Sequence, residues 1–134
     1  MTVTPGKAFN FDDSTCTAVY VNPEDAPGAV IVCDFPFAAY SGGALSMMPV
    51  GGVEDAIEEA ELSEQLRGNL YEVMNICTRL LIDDNTVHLR LTEVVPSQEA
   101  SDVLETVTSS DATRVDFQVD IPKYGAGTLS FVVT

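Results

Sequence analysis

The sequence predicts a single α+β domain whose mixed or antiparallel sheet packs against one long amphipathic helix and shorter helices. Three observations predict it. Short β-branched and apolar runs bounded by turn residues lie towards both ends of the chain, a stripe of helical period crosses its middle, and strands therefore flank helices on both sides. With 134 residues, 46% hydrophobic and 20% charged, the chain has the length and apolar content to bury one core without metals or staples. One domain spanning 1–134 is expected.

The elements follow in order. Residues 17–21 and 29–35 read as two strands, and the intervening NPEDAPG supplies the turn of a hairpin. Pro36 closes the second strand. Residues 37–48 then read as a short helix weakened by Gly42 and Gly43, which Pro49, Gly51 and Gly52 bring to an end. From about Val53 the chain turns acidic and helical. Ser63 next precedes EQLRGNLYEVMNICTRLL, the clearest helix, in which Leu66, Leu70, Val73, Cys77 and Leu80 recur every three or four residues. Asp83, Asp84 and Asn85 stop that pattern. Beyond them Val87, Leu89 and Leu91 alternate with His88, Arg90 and Thr92, the signature of a half-buried strand running towards Val95 and Pro96. Residues 98–107 read as a short helix. Residues 114–121 and 128–133 read as antiparallel strands joined by PKYGAG.

Charge narrows the partners. Six Lys and Arg stand against twenty-one Asp and Glu, for a net charge of -15, and no stretch gathers the clustered cations that phosphate backbones or anionic lipids require. Nucleic acid and membrane are set aside. The N-terminal MTVTPGKAFNFDD has no basic region followed by an apolar run, and no segment approaches the ~20 apolar residues of a bilayer span, so a cytoplasmic location is expected. Cys16, Cys33 and Cys77 are odd in number and widely spaced, which fits buried free thiols.

Several chemistries lack their residues. His88 is the only histidine and is placed on an outward strand face, which leaves a Ser/His/Asp or Cys/His arrangement without a supporting motif. Scattered cysteines supply too few ligands for zinc. YGAGTL and SGGAL lack the GK[ST] ending of a phosphate loop and read as turns. The Asp pairs at 12–13 and 83–84 lack the alternating oxygen ligands of a calcium loop and read as solvated turn carboxylates. No metal or cofactor site is expected.

The long helix offers more. At 100° per residue, Gly68, Glu72, Asn75 and Arg79 fall within about 60° of one another, opposite the leucine stripe. All four should face outward. Mid-helix glycine costs about 1 kcal/mol relative to alanine, so Gly68 weakens the helix unless a partner approaches its backbone. Ordinary surface chemistry remains the plainer reading, with Glu72 near Arg79 as an exposed pair worth about 0 to 1 kcal/mol.

The ExxN of Glu72 and Asn75 in LYEVMNI, the preceding AVIVCDFPF to ALSMMP, and Pro96 downstream together resemble the CheC/CheX/FliY family of chemotaxis phosphatases and the related FliM middle domain. The resemblance spans about three quarters of the chain, and ExxN with the later proline is its most specific part. It implies a phosphatase, a hydrolase of two-component signalling, acting on the aspartyl phosphate of a CheY-like response regulator. Asn75 would orient the attacking water and Glu72 would pair with a lysine of the regulator. Gly68, Glu72, Asn75 and Arg79 would form the partner-binding face, and magnesium would sit in the partner. Gly68 stands where the family usually has Asp or Ser, and Arg79 where it commonly has a small residue. These departures motivate a second reading, a noncatalytic regulator-binding or scaffold module of the same fold. SQEASDVLETV carries no second ExxN, so at most one site is expected. A structural domain pairing its edge strands as a homodimer is the third reading.

Overall fold

The computed structural model describes residues 2–7, 11, 15–80, 89–108 and 112–133. In chain order it contains β1 (Thr2–Pro5), β2 (Thr15–Val21), β3 (Pro27–Asp34), α1 (Phe35–Leu45), α2 (Val50–Glu59), α3 (Glu64–Cys77), a 3₁₀ turn (Thr78–Leu80), β4 (Arg90–Pro96), a second 3₁₀ turn (Ser97–Ala100), α4 (Ser101–Val107), β5 (Thr113–Ile121) and β6 (Gly125–Val133). Among the described residues the strands form one sheet in the order β1-β5-β6-β3-β2-β4. All five neighbouring pairs are antiparallel, which decides between the two sheet types the sequence allowed.

The central strand explains its own composition. Ala29, Ile31 and Cys33 of β3 enter the main core under α1, α2 and α3, while Val30 and Val32 enter a second cluster with Leu104 and Val107 of α4. A strand covered on both faces needs an unbroken apolar run, as AVIVC provides. Its neighbour β2 turns Cys16, Ala18 and Tyr20 to the main core. Thr15 and Thr17 are also buried, and their hydroxyls share Ser97 Oγ at 2.6 and 2.7 Å, which satisfies both. Between β2 and β3, the Asn22 side chain accepts from the Glu24 and Ala26 amides at 2.9 and 3.1 Å, and Asp25 takes a positive φ of 62°. An Asx turn thus closes the expected hairpin.

Asp34 explains why β3 stops and α1 starts two residues earlier than the periodicity suggests. Its carboxylate accepts from the Phe37 amide at 2.8 Å as N-cap and from Thr128 Oγ1 of β6 at 2.8 Å. Pro36, expected to close the strand, sits in the first turn of α1, where its missing N–H costs nothing. Gly42 and Gly43 lie inside this helix because α2 and α3 come close. A Cβ at Gly42 would stand 3.2 Å from the Leu66 carbonyl oxygen, and one at Gly43 would stand 2.4 Å from Val53. SGGAL is therefore helix rather than turn.

Other boundaries differ for identifiable reasons. Gly51 and Gly52, read as helix terminators, lie in the first turn of α2, exposed and with no neighbour within 4 Å of an added Cβ. The edge strand β1 is exposed at all four positions and carries no burial alternation that would announce it. YGAGTL spans a turn residue and the start of β6. Residues 98–107 divide into a 3₁₀ turn and α4. The expected strand start at Val87 and His88, and the Asp pairs at 12–13 and 83–84, lie outside the described residues.

Candidate functional site

Local chemistry builds α3 as the sequence predicts. Ser63 caps it by accepting from the Leu66 amide at 3.2 Å, and Glu64 places an anion in the first turn, where the helix dipole favours it. Leu66, Leu70 and Met74 are buried, while Val73 and Cys77 are half-buried beside them. The helix is also tied to α1 by polar bonds. The Asn69 amide donates to the Gly42 carbonyl at 2.8 Å and to Ser46 Oγ at 2.7 Å.

Gly68, Glu72 and Asn75 all lie on the exposed face, as expected. Glu72 and Asn75 are one turn apart, and neither side chain has a hydrogen-bond or ion-pair partner among the described residues. Around Gly68 nothing lies within 4 Å of an added Cβ, so no packing inside this chain accounts for a mid-helix glycine. Arg79 is exposed too, but it stands in the 3₁₀ turn after α3, where the 100° projection no longer holds. The Glu72–Arg79 ion pair does not form among the described residues.

The helix ends three residues before its apolar period does, at Cys77 rather than Leu80. Tyr20, fully buried in β2, donates its hydroxyl to the Met74 carbonyl at 2.5 Å. The Thr78 amide bonds instead to the carbonyls of Asn75 and Ile76, and the chain tightens into the 3₁₀ turn. Periodicity could not reveal this, because the deciding hydroxyl lies on a distant strand. Sequence reasoning also missed a groove of about 900 Å³ beside α3, lined by Leu45, Ile76, Val115, Phe117 and Phe131 among others. Ile76, 60% exposed and adjacent to Asn75, was the available signal.

The three cysteines are free, with Cys16 and Cys33 buried and Cys77 half-buried. Burial pushes all three thiols up from their ordinary value, most of all Cys33, which faces Cys16 across the β2–β3 register. Folding therefore favours the protonated thiols. Their contribution is fully present below the unfolded value near 9.0 and is lost as pH rises towards the higher folded values. We expect the urea midpoint to fall above pH ~9 and the buried thiols to resist a thiol reagent at neutral pH until the protein is unfolded. Prompt titration of all three in the native protein would contradict this burial. Among the described residues no three His, Cys, Asp or Glu side chains converge as metal ligands.

With this geometry in place, the comparisons are informative about fold. Thermotoga maritima FliY matches over 99% of this chain and 73% of its own, with a TM-score of 0.57 and 18% identity. This chain has the CheC/CheX/FliY fold. The FliY-like architecture agrees with the expectation drawn from ExxN and its surroundings. The FliM middle domain of Vibrio alginolyticus covers 92% of this chain and 67% of its own at TM-score 0.44 and 13% identity. A complex of CheX with CheY, BeF3 and magnesium from Borrelia burgdorferi covers 100% and 82% at TM-score 0.39 and 7% identity. No protein-family profile and no curated sequence matches the chain. No helix among the described residues is long and apolar enough to cross a membrane. On the FliY-like sheet, α4 packs against Val30, Val32 and Val132, opposite the face that carries α3.

Proposed function

We propose that this domain hydrolyses the aspartyl phosphate of a CheY-like receiver domain, with α3 as the inserted element. The observation that carries the proposal is the unpartnered pair Glu72 and Asn75, exposed one turn apart on a helix whose buried side chains and cap hold it still. On a FliY-like fold this is the arrangement that the ExxN resemblance implies. An amide can accept a hydrogen bond from a water and donate to a phosphoryl oxygen, which orients the water in line with the scissile P–O bond. The water oxygen bonds to phosphorus, the aspartate carboxylate leaves with the P–O electron pair, and inorganic phosphate departs. Glu72 would meet an ammonium of the partner in a charge-assisted bond. Positioning and electrostatics carry most phosphoryl transfer, so two side chains suffice here when the partner supplies its own magnesium. The net charge of -15 would steer a cationic surface towards the site.

The test is the lifetime of a phosphorylated receiver. Receivers encoded alongside this chain, loaded with a small phosphodonor, should lose phosphate faster when the protein is added. Unchanged lifetimes for every receiver would remove the catalytic claim. Gly68→Ala probes docking separately. It should raise stability by about 1 kcal/mol, because the helix gains propensity and no neighbour within the chain is displaced. It should also weaken receiver binding if the partner approaches that backbone; unaltered binding would remove Gly68 from the interface.

A further inference from the structure

We propose that Tyr20 is a positioning residue for Asn75, acting from the sheet through the Met74–Asn75 peptide unit. The activity arm of this proposal rests on the phosphatase reading; the structural arm does not. Tyr20 lies in β2 with no exposed surface, and the small Ala18 and Cys16 share its face, so its ring spans the layer between sheet and α3. A buried phenol hydroxyl requires a partner, and this one donates to the Met74 carbonyl at 2.5 Å.

That carbonyl is the one an uninterrupted α-helix would offer to the Thr78 amide. The Thr78 amide has gone to Asn75 and Ile76 instead, and the Thr78 hydroxyl lies 3.5 Å from the Met74 oxygen. The carbonyl of Met74 and the amide of Asn75 belong to one planar peptide group. Holding the oxygen therefore orients the plane from which the Asn75 Cα is suspended. Met74, itself fully buried, anchors the same unit from its side chain. Asn75 thus projects into solvent from a backbone fixed by the sheet, which is what orienting a water demands. Without the hydroxyl, the Thr78 amide is free to return to Met74, and the last turn relaxes from about 120° towards about 100° per residue.

The substitution Tyr20→Phe keeps the ring and removes the hydroxyl. Backbone and side-chain amide resonances should shift from Met74 to Leu80, including the Asn75 side chain, and stay in place from Glu64 to Leu70. A hydrogen-bond scalar coupling from the Thr78 amide to the Met74 carbonyl should appear in the variant and be absent from the unsubstituted protein. The half of that measurement made on the unsubstituted protein needs no folded variant, and a Thr78–Met74 coupling there would overturn the proposal. So would an unmoved Asn75 in a folded Tyr20→Phe protein. In the receiver assay, turnover at saturating phosphorylated receiver should fall roughly tenfold with the half-saturating concentration unchanged, since orientation rather than docking is lost. Full turnover in the variant would overturn the catalytic role. If the unsubstituted protein leaves every receiver unchanged, the phosphatase reading fails, and the resonances still decide whether Tyr20 sets Asn75.

Discussion

Asn75→Ala should lower receiver dephosphorylation by on the order of 10²-fold while the protein unfolds at an unchanged or slightly higher urea concentration. The size follows from losing one preorganised hydrogen-bonding group where charge and geometry change most during reaction. The indifference of stability follows from position. Asn75 is exposed, its side chain makes no hydrogen bond among the described residues, and alanine is the better helix former. Glu72→Ala should behave differently, weakening association and its salt dependence more than turnover, because a carboxylate facing an ammonium acts mainly in the encounter. A stable Asn75→Ala protein with full activity would exclude the amide as the water-orienting group. If binding persists in both variants and phosphate lifetime never changes, the domain is a noncatalytic receiver-binding module.

The largest loss of stability should come from Gly127→Ala, far from the polar face of α3. Gly127 sits in β6 opposite Val119, and a Cβ there would stand 2.5 Å from the Phe37 amide nitrogen and Cα. Those atoms are backbone, so no rotamer change relieves the contact. The first turn of α1 cannot swing aside cheaply either, because Asp34 holds it through the Phe37 amide and is itself held by Thr128, the residue after Gly127. The helix must lift from the sheet, at a cost of about 3 kcal/mol. Urea unfolding would show the effect, and a change under about 0.5 kcal/mol would mean that α1 does not approach β6 so closely. Since α1 also receives the Asn69 bonds, a folded Gly127→Ala protein should show altered α3 resonances as well.

Features with a local cause were legible from residues alone. The three-and-four spacing of Leu66, Leu70, Val73 and Cys77 located α3 and its buried side, and the same geometry placed Gly68, Glu72 and Asn75 outward. The apolar run of β3 and the turn residues before it located the hairpin. Features set by distant neighbours were not legible. Gly42 and Gly43 lower helix propensity, yet they sit inside α1 because Leu66 and Val53 press against them. Strand β1 is exposed throughout and exists through its pairing with β5, more than a hundred residues away in sequence. The apolar groove beside Ile76 depends on how α1, α3 and the β5–β6 half of the sheet meet.

The helical face that carries Glu72 and Asn75 was determined by the sequence itself, because side-chain period and capping act within a few residues. Where that helix stops was decided only by tertiary structure. The apolar stripe runs on through Leu80, but the Tyr20 hydroxyl takes the Met74 carbonyl and the Thr78 amide turns to Asn75 and Ile76, so the chain tightens and carries Arg79 off the α-helical projection. A buried hydroxyl must find an acceptor, and the one Tyr20 finds from its strand is a helix carbonyl 54 residues away.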